Sequence, residues 1–272
     1  MPNPLVLSHT EDGVTTLTMN NPARLNGWTG PMMAALREAL SVAARDEATR
    51  ALILTGADPY YCAGVDLSAA FKLAHPKTLH ASIVAANQAL FDMFLDFPKP
   101  ILVAVNGPVL GASLTSATLC DGMIASEKAT FSTPFAAIGA APEGCSSVMF
   151  PRLMGDAAER MLGEEGWRPT AAEALAVGLV QWVVSHEALM PEARRIAREW
   201  VQSGAKRSFR GGFELATLKA VNARESVTIA DAFLHPRFLS GRFRFFWKKG
   251  KYSLALMFLM LRISHPLWSL ML

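Results

Sequence analysis

Four short apolar runs that do not alternate with polar residues constrain this chain most. They are Ala51-Leu52-Ile53-Leu54, Ile101-Leu102-Val103-Ala104-Val105, Gly122-Met123-Ile124-Ala125 and Leu179–Val184. A strand with one wet face places a polar residue at every second position. A run without that alternation reads as a strand buried on both faces, which is the setting of a parallel sheet covered by helices. Helical patterns at about 77–96, 112–119 and 156–176 separate the runs. This succession of strand and helix predicts an α/β protein. Ahead of it, Leu5–His9 and Val14–Met19 flank Asp12-Gly13 and predict a β-hairpin. Thr29, followed by Pro31, predicts the capped start of a helix that runs to about Ala48.

Beyond Val184 the pattern is helical only, at about 187–203, 206–223 and 225–239. The expected organisation is an α/β core over 1–185 and a helical region over 186–251, with no Ser/Gly-rich linker between them. Residues 252–272 form an apolar tail long enough to cross a bilayer. Arg262, His265 and Pro266 fall in its second half, where a charge is costly in lipid. The tail is therefore expected to pack against the protein or a partner subunit, with contact to a membrane surface as the alternative.

The net charge of +3 is unevenly placed. Seven basic residues and no acidic ones lie between Ala232 and Leu272, which leaves residues 1–231 at −4. A basic end of this kind suits a phosphorylated ligand or an anionic surface. The 51% hydrophobic content excludes a disordered or collagen-like chain. Three cysteines, none in a CxxC pair, argue against a disulfide framework. With no signal peptide in view, a cytoplasmic location is the expectation.

Several chemistries find no support in the motifs. The histidines (His9, His75, His80, His186, His235 and His265) form neither HxxxH nor HExxH, so no metal site is expected. Gly111-Ala112-Ser113-Leu114-Thr115 starts like a nucleophile elbow but lacks its last glycine. Cys62 and Cys145 have no paired histidine and read as small buried residues. No phosphate-binding GxxxxGK[ST] or GxGxxG follows a strand.

Two glycine-bearing loops remain, each after an apolar strand: Asp58–Leu67 and Asn106–Ser113. Ligands of open α/β sheets gather beyond the carboxyl ends of strands. Gly beside Ala leaves backbone N–H groups uncovered, and two of them can converge on one oxygen. A helix opening at Ala112 would add positive potential there. A third segment, Pro142-Glu143-Gly144-Cys145-Ser146-Ser147, sets a lone acid among apolar neighbours. A carboxylate in such company becomes more basic and can remove a carbon-bound proton. The alternative is a loop glutamate capping the helix that follows. Thr170-x-x-Glu173 reads as a capping box, Asp121 as a turn cap, and Asp66 as a residue bonding its own loop.

Together these segments resemble the crotonase (enoyl-CoA hydratase/isomerase) superfamily. The resemblance rests on Asn20–Asn26, Cys62-Ala63-Gly64-x-Asp66-Leu67, Asn106-Gly107-Pro108, Cys120-Asp121 and Ala171-x-Glu173-Ala174-x-x-x-Gly178-Leu179-Val180, in this order. Thr133-Pro134-Phe135 and the segment from Pro142 to Ser147 are most similar to the branch of peroxisomal-type Δ3,Δ2-enoyl-CoA isomerases. The resemblance implies a spiral of ββα units with C-terminal helices that build trimers, often paired into hexamers. It implies Glu143 as the lone catalytic base, with the N–H groups of Ala63 and Ala112 holding a thioester oxyanion. The two glutamates of the hydratase branch are replaced here by Thr115 and Phe135. For CoA and substrate contact it implies Arg24, Leu25, Cys62, Gly64, Asp66, Leu67, Gly111 and Phe135. Phe245 and Lys248 (or Lys249) would come from a neighbouring subunit. The CoA thioester is itself the substrate, so no cofactor and no nucleic acid are expected. The lack of a peroxisomal C-terminal tripeptide points to a bacterial cytosolic form. The alternatives are another crotonase-fold acyl-CoA enzyme (hydratase or hydrolase-like) and a non-catalytic acyl-CoA-binding or membrane-associated member.

Overall fold

The computed structural model describes residues 3–66, 74–163 and 166–272. Strands β1 (Val6–Glu11) and β2 (Val14–Met19) pair antiparallel about Asp12 and Gly13, both at positive φ, as a tight hairpin turn requires. Helix α1 (Gly30–Arg45) opens at Thr29, whose hydroxyl accepts the Met32 N–H at 3.3 Å. Strands β3 (Ala51–Gly56), β4 (Ile101–Val105), β6 (Gly122–Ser126) and β8 (Trp182–Val184) run parallel in one sheet of order β1-β2-β3-β4-β6-β8. Two further two-residue strands, β5 (Val109–Leu110) and β7 (Phe131–Ser132), form a small parallel sheet of their own.

The first three non-alternating runs are buried on both faces, and the pleat divides them, whereas the fourth ends in the half-buried edge strand β8. Ala51, Ile53, Leu102, Ala104 and Ile124 meet Ala193, Ile196 and Ala197 of α8 (Leu189–Ser203). Leu52, Leu54, Val103, Val105 and Met123 face the opposite way, into a larger core. There they join Met32 and Leu36 of α1 and Phe91 and Phe94 of α2 (Pro76–Leu95). Successive side chains on a strand point to opposite faces, so one apolar run supplies two cores.

Helix α3 (Ala112–Thr118) follows β5, and the short α4 (Phe135–Ile138) and α5 (Ser146–Met154) follow β7. The helix expected over 156–176 is two helices, α6 (Ala157–Leu162) and α7 (Ala171–Ala176). Gly163 and Gly166 (at positive φ) interrupt it, and Thr170 starts α7 with the predicted capping box. The last strand is shorter than expected, because Leu179 and Val180 turn back to bond the Ala174 carbonyl.

The C-terminal helices also differ from the sequence reading. Helix α9 spans Leu215–Leu234 and α10 spans Pro236–Lys248. The break is at His235-Pro236, where proline restricts the preceding residue. The polar stretch near residue 224, read as a gap between helices, is a buried seam. Asn222 Nδ2 donates to the Gln88 carbonyl at 3.0 Å and to Asp92 at 2.9 Å, and Asn87 donates to Ser226 at 3.1 Å. The segment before α9 is held irregular by its arginines. Arg207 pairs with Asp121 at 2.6 Å, both nearly buried, and Arg210 donates to the Gly178 and Leu179 carbonyls. Asp121 also accepts the N–H groups of Ile101 and Ser208, so it ties β4 to this segment and is more than a turn cap. The tail forms α11 (Tyr252–Trp268), which packs through Ala255 and Phe258 onto Phe246 of α10 and Leu79 and Ile83 of α2.

Candidate active site

The site lies where the loops after β3 and β4 meet the loop between α4 and α5. Two asparagines hold the first loop. Asn26 Nδ2 donates to the Ala57 and Tyr60 carbonyls, each at 2.6 Å. Asn106 Oδ1 accepts the Gly56 N–H at 3.2 Å, and its Nδ2 donates to Asp58 at 2.8 Å. The rest of the loop, Cys62 to Asp66, threads between two neighbours. On one side Trp28 N–H donates to Gly64 O at 2.8 Å, and Asp66 N–H donates to Trp28 O at 3.1 Å. On the other, Cys62 N–H reaches Pro108 O and Leu110 N–H reaches Cys62 O. Gly64 has φ +82°, and a Cβ there would stand 2.8 Å from the Leu110 carbonyl oxygen, so only glycine fits.

This threading decides which amides are free. Ala63 lines the site, but its N–H donates to the Leu25 carbonyl at 3.0 Å and is not available to an oxyanion. Val65 stands opposite Trp28 in a parallel bridge, and a residue so placed turns its own N–H to the other side. Gly64 and Asp66 bond Trp28, so the Val65 N–H points away from Trp28. Among the described residues it makes no hydrogen bond within the chain. Ala112 is the first residue of α3, so its N–H has no acceptor within that helix and likewise stays unpartnered. The amide pair expected at Ala63 and Ala112 is thus corrected to Val65 and Ala112, which line one cavity of about 110 Å³.

Glu143 enters the same cavity. Gly144 carries it into α5 at φ +65°, with Phe91 so close that a Cβ would collide with its ring at 2.4 Å. Burial raises the Glu143 carboxyl to about 8, and the neighbouring Glu225 carboxylate adds to the rise. Glu225, buried on α9, accepts the Cys145 N–H at 2.6 Å and the Ser147 N–H at 2.9 Å. It thereby fixes the backbone just after Glu143. Glu143 is the one carboxylate lining the smaller cavity among the described residues. Phe135 lines it too, and Thr115 is buried nearby with its hydroxyl turned to the Ala112 carbonyl at 3.2 Å.

Glu143, Val65 and Phe233 also line a second cavity of about 320 Å³ between α1 and α2. Trp28, Met33, Ile83 and Leu90 make most of its wall apolar, with Arg37, Asp66, Ser82 and Asn87 as polar members. The carboxylate therefore stands at the junction of a small chamber with two unpartnered amides and a larger apolar one.

The other sequence-predicted residues distribute as follows. Gly64 and Gly111 line the small chamber and Asp66 the large one. Cys62 lines neither; it is fully buried, accepts the Gly64 N–H at 3.3 Å, and burial pushes its thiol up to about 12. Its place is beneath the site as a turn-forming residue. Arg24 and Leu25 are exposed, line neither chamber, and belong to the segment whose Leu25 carbonyl holds Ala63. Phe245 and Lys248 are exposed on α10 and line neither chamber of their own chain. Leu67 lies outside the described residues. Val65, Phe233 and Glu225 were missed. For Glu225 the signal was available: Asn222, Glu225 and Ser226 recur at helical spacing on a face otherwise apolar.

A carboxylate with raised proton affinity, in a chamber lined by two residues whose amides are unpartnered, is suited to taking a proton next to a carbonyl whose oxygen such amides can hold. Comparison with known proteins gives the family. The family model described as enoyl-CoA hydratase/isomerase matches residues 9–239. Enoyl-CoA delta isomerase 2 of Rattus norvegicus is 33% identical over 264 residues, covering 90% of this chain and 64% of that protein. This chain thus spans just under two thirds of that relative's length. Enoyl-CoA delta isomerase 3, peroxisomal, of Mus musculus is 31% identical over 269 residues, covering 92% of this chain and 80% of that protein. The 1,2-epoxyphenylacetyl-CoA isomerase of Escherichia coli is 34% identical over 227 residues, with 82% and 84% covered. Among solved structures, the enoyl-CoA hydratase/isomerase of Pseudoalteromonas atlantica superposes with a TM-score of 0.74 at 27% identity, over 90% of this chain and 97% of that one. The chain belongs to the enoyl-CoA hydratase/isomerase family and has its crotonase fold.

Proposed function

We propose that the chain isomerises Δ3-enoyl-CoA thioesters to their Δ2 isomers. The observation that carries this reading is the solitary carboxylate, Glu143, facing two unpartnered amides in a chamber that Phe135 keeps apolar. The ionised Glu143 takes a proton from C2. The C–H electron pair moves into the C2–C1 bond, and the thioester oxygen gains the negative charge of a dienolate. The Val65 and Ala112 N–H groups donate to that oxygen. The protonated Glu143 then returns its proton at C4, the double bond settles between C2 and C3, and the charge leaves the oxygen. Proton and electron pair both balance within the substrate, so the step needs no cofactor.

Water addition by the two-carboxylate route lacks its groups, since Thr115 and Phe135 stand at those positions. The larger apolar chamber would take the acyl chain. The exposed Arg24-Leu25 segment would meet the nucleotide of CoA, and Phe245 and Lys248 of a neighbouring subunit would complete that contact in a trimer or hexamer. The three unpaired, buried cysteines support a reducing compartment such as the cytoplasm.

The test is direct. A 3-enoyl-CoA incubated with the protein is expected to give the absorbance of a conjugated 2-enoyl thioester. Glu143→Gln is expected to lower that rate by roughly 10²- to 10⁴-fold with the fold intact. An undiminished rate in the variant removes Glu143 from the mechanism. Rapid conversion of 2-enoyl-CoA to a 3-hydroxyacyl product would instead favour a hydratase.

A further inference from the structure

The basic C-terminal end has a use that the proposed reaction does not absorb. Helix α11 is apolar on both sides, but only one side is covered. Ala255 and Phe258 are fully buried, with Phe258 stacked on Phe246 at 5.6 Å. On the opposite side Tyr252, Leu256, Met260, Ile263 and Leu267, with Leu270 in the 3-10 turn that follows the helix, are 50% to 86% exposed. Their spacing of three and four residues sets them in one row along about 27 Å of helix. At the start of the row Trp247 of α10 packs on Tyr252, ring centroids 5.0 Å apart, and is itself half exposed. Lys249 and Lys251 are exposed around this aromatic corner.

We propose that this face is a docking surface for membranes rich in acidic phospholipids. The helix lies in the interface with its row immersed and the lysines on the headgroups. A helix with one apolar outer face, aromatic residues at its edge and basic neighbours is the form that interfacial binding takes. Crossing the bilayer would strip Ala255 and Phe258 from their core and put Arg262 in hydrocarbon, so the helix lies on the surface. A second copy of the chain fits less well. Packing row against row brings together two segments, 232–272, that each carry seven basic and no acidic residues. Packing the row on another part of a neighbour needs a matching apolar patch. Among the described residues, the other large exposed apolar side chains of the body (Leu7, Leu25, Val42, Val65, Leu175, Leu215, Val227) are scattered over different elements and loops.

The experiment is co-sedimentation of the full chain with phosphatidylcholine vesicles and with phosphatidylcholine–phosphatidylserine vesicles, at low and high salt. Light scattering gives its mass in parallel. The protein is expected to pellet with the acidic vesicles only, and less at high salt. Lys249→Gln with Lys251→Gln is expected to weaken that binding roughly 25-fold, about fivefold per charge. Met260→Ser, Ile263→Ser and Leu267→Ser together are expected to abolish it without changing the mass. The proposal is overturned if the acidic vesicles fail to pellet the protein or if the lysine pair leaves binding unchanged. A drop in mass in the serine variant also overturns it, because the row would then be a contact between copies. The lysine variant keeps the test decisive if the serine variant fails to fold.

Discussion

Glu143 holds its proton up to about pH 8, because the ionised form is stripped of water and faces a second buried carboxylate. At pH 7 only about one tenth of the free protein carries it ionised. The proposed catalysis by the ionised form fixes the sign of the pH dependence. The kcat/KM for 3-enoyl-CoA is expected to rise about tenfold per unit as pH climbs toward 8 and to level off above it. A profile flat between pH 6 and 9 would show that this carboxyl is not the group being titrated. At the residue scale the acid was legible in the sequence, as a lone glutamate among Ala, Pro, Gly and Cys. The amide partner was not. Ala63 and Val65 are equally plausible on residue type, and the choice between them follows from which carbonyl each N–H meets. Leu25 takes the first, and the pairing of Trp28 with Gly64 and Asp66 turns the second toward the chamber.

Elements decide how the base is held. Glu225 comes from α9, some eighty residues beyond Glu143, and grips the Cys145 and Ser147 amides at the start of α5. Its charge is the smaller of the two causes that raise the Glu143 carboxyl. Glu225→Gln is therefore expected to move the inflection in kcat/KM to lower pH, yet leave it above the ordinary carboxylate range, since burial persists. A purely structural role would lower the plateau without moving the inflection. The same element shows why sequence patterning misled here. The pattern reads as a helix break at residue 224, between Asn222 and Glu225, because polar residues seldom face a core. Asn222, Glu225 and Ser226 are buried because Gln88, Asp92, Asn87 and the α5 amides offer them partners. The α6–α7 break was misread for the opposite reason: favourable helix formers on either side outweighed two glycines.

At the scale of the whole molecule, the two chambers meet on one carboxylate because the sheet delivers both glycine loops to the same edge. Phe245 and Lys248, exposed on α10, reach no chamber of their own chain. If they serve a neighbour's CoA, the protein in solution is expected to have three or six times the 29.4 kDa chain mass by light scattering. A monomer that isomerises 3-enoyl-CoA at full rate would remove them from the binding surface.

The sequence by itself determined what depends on local pattern. The buried parallel strands follow from apolar runs without alternation, the first helix start from Thr29 and Pro31, the capping box from Thr170 and Glu173, and the candidate base from the apolar company of Glu143. Only the tertiary structure decided what depends on partners distant in the chain. Those are the amide left unbonded at Val65, the grip of Glu225 on the catalytic loop, and the side of α11 that remains uncovered. The reason is that a hydrogen bond or a buried face is a property of two segments at once, and the chain's order names only one of them.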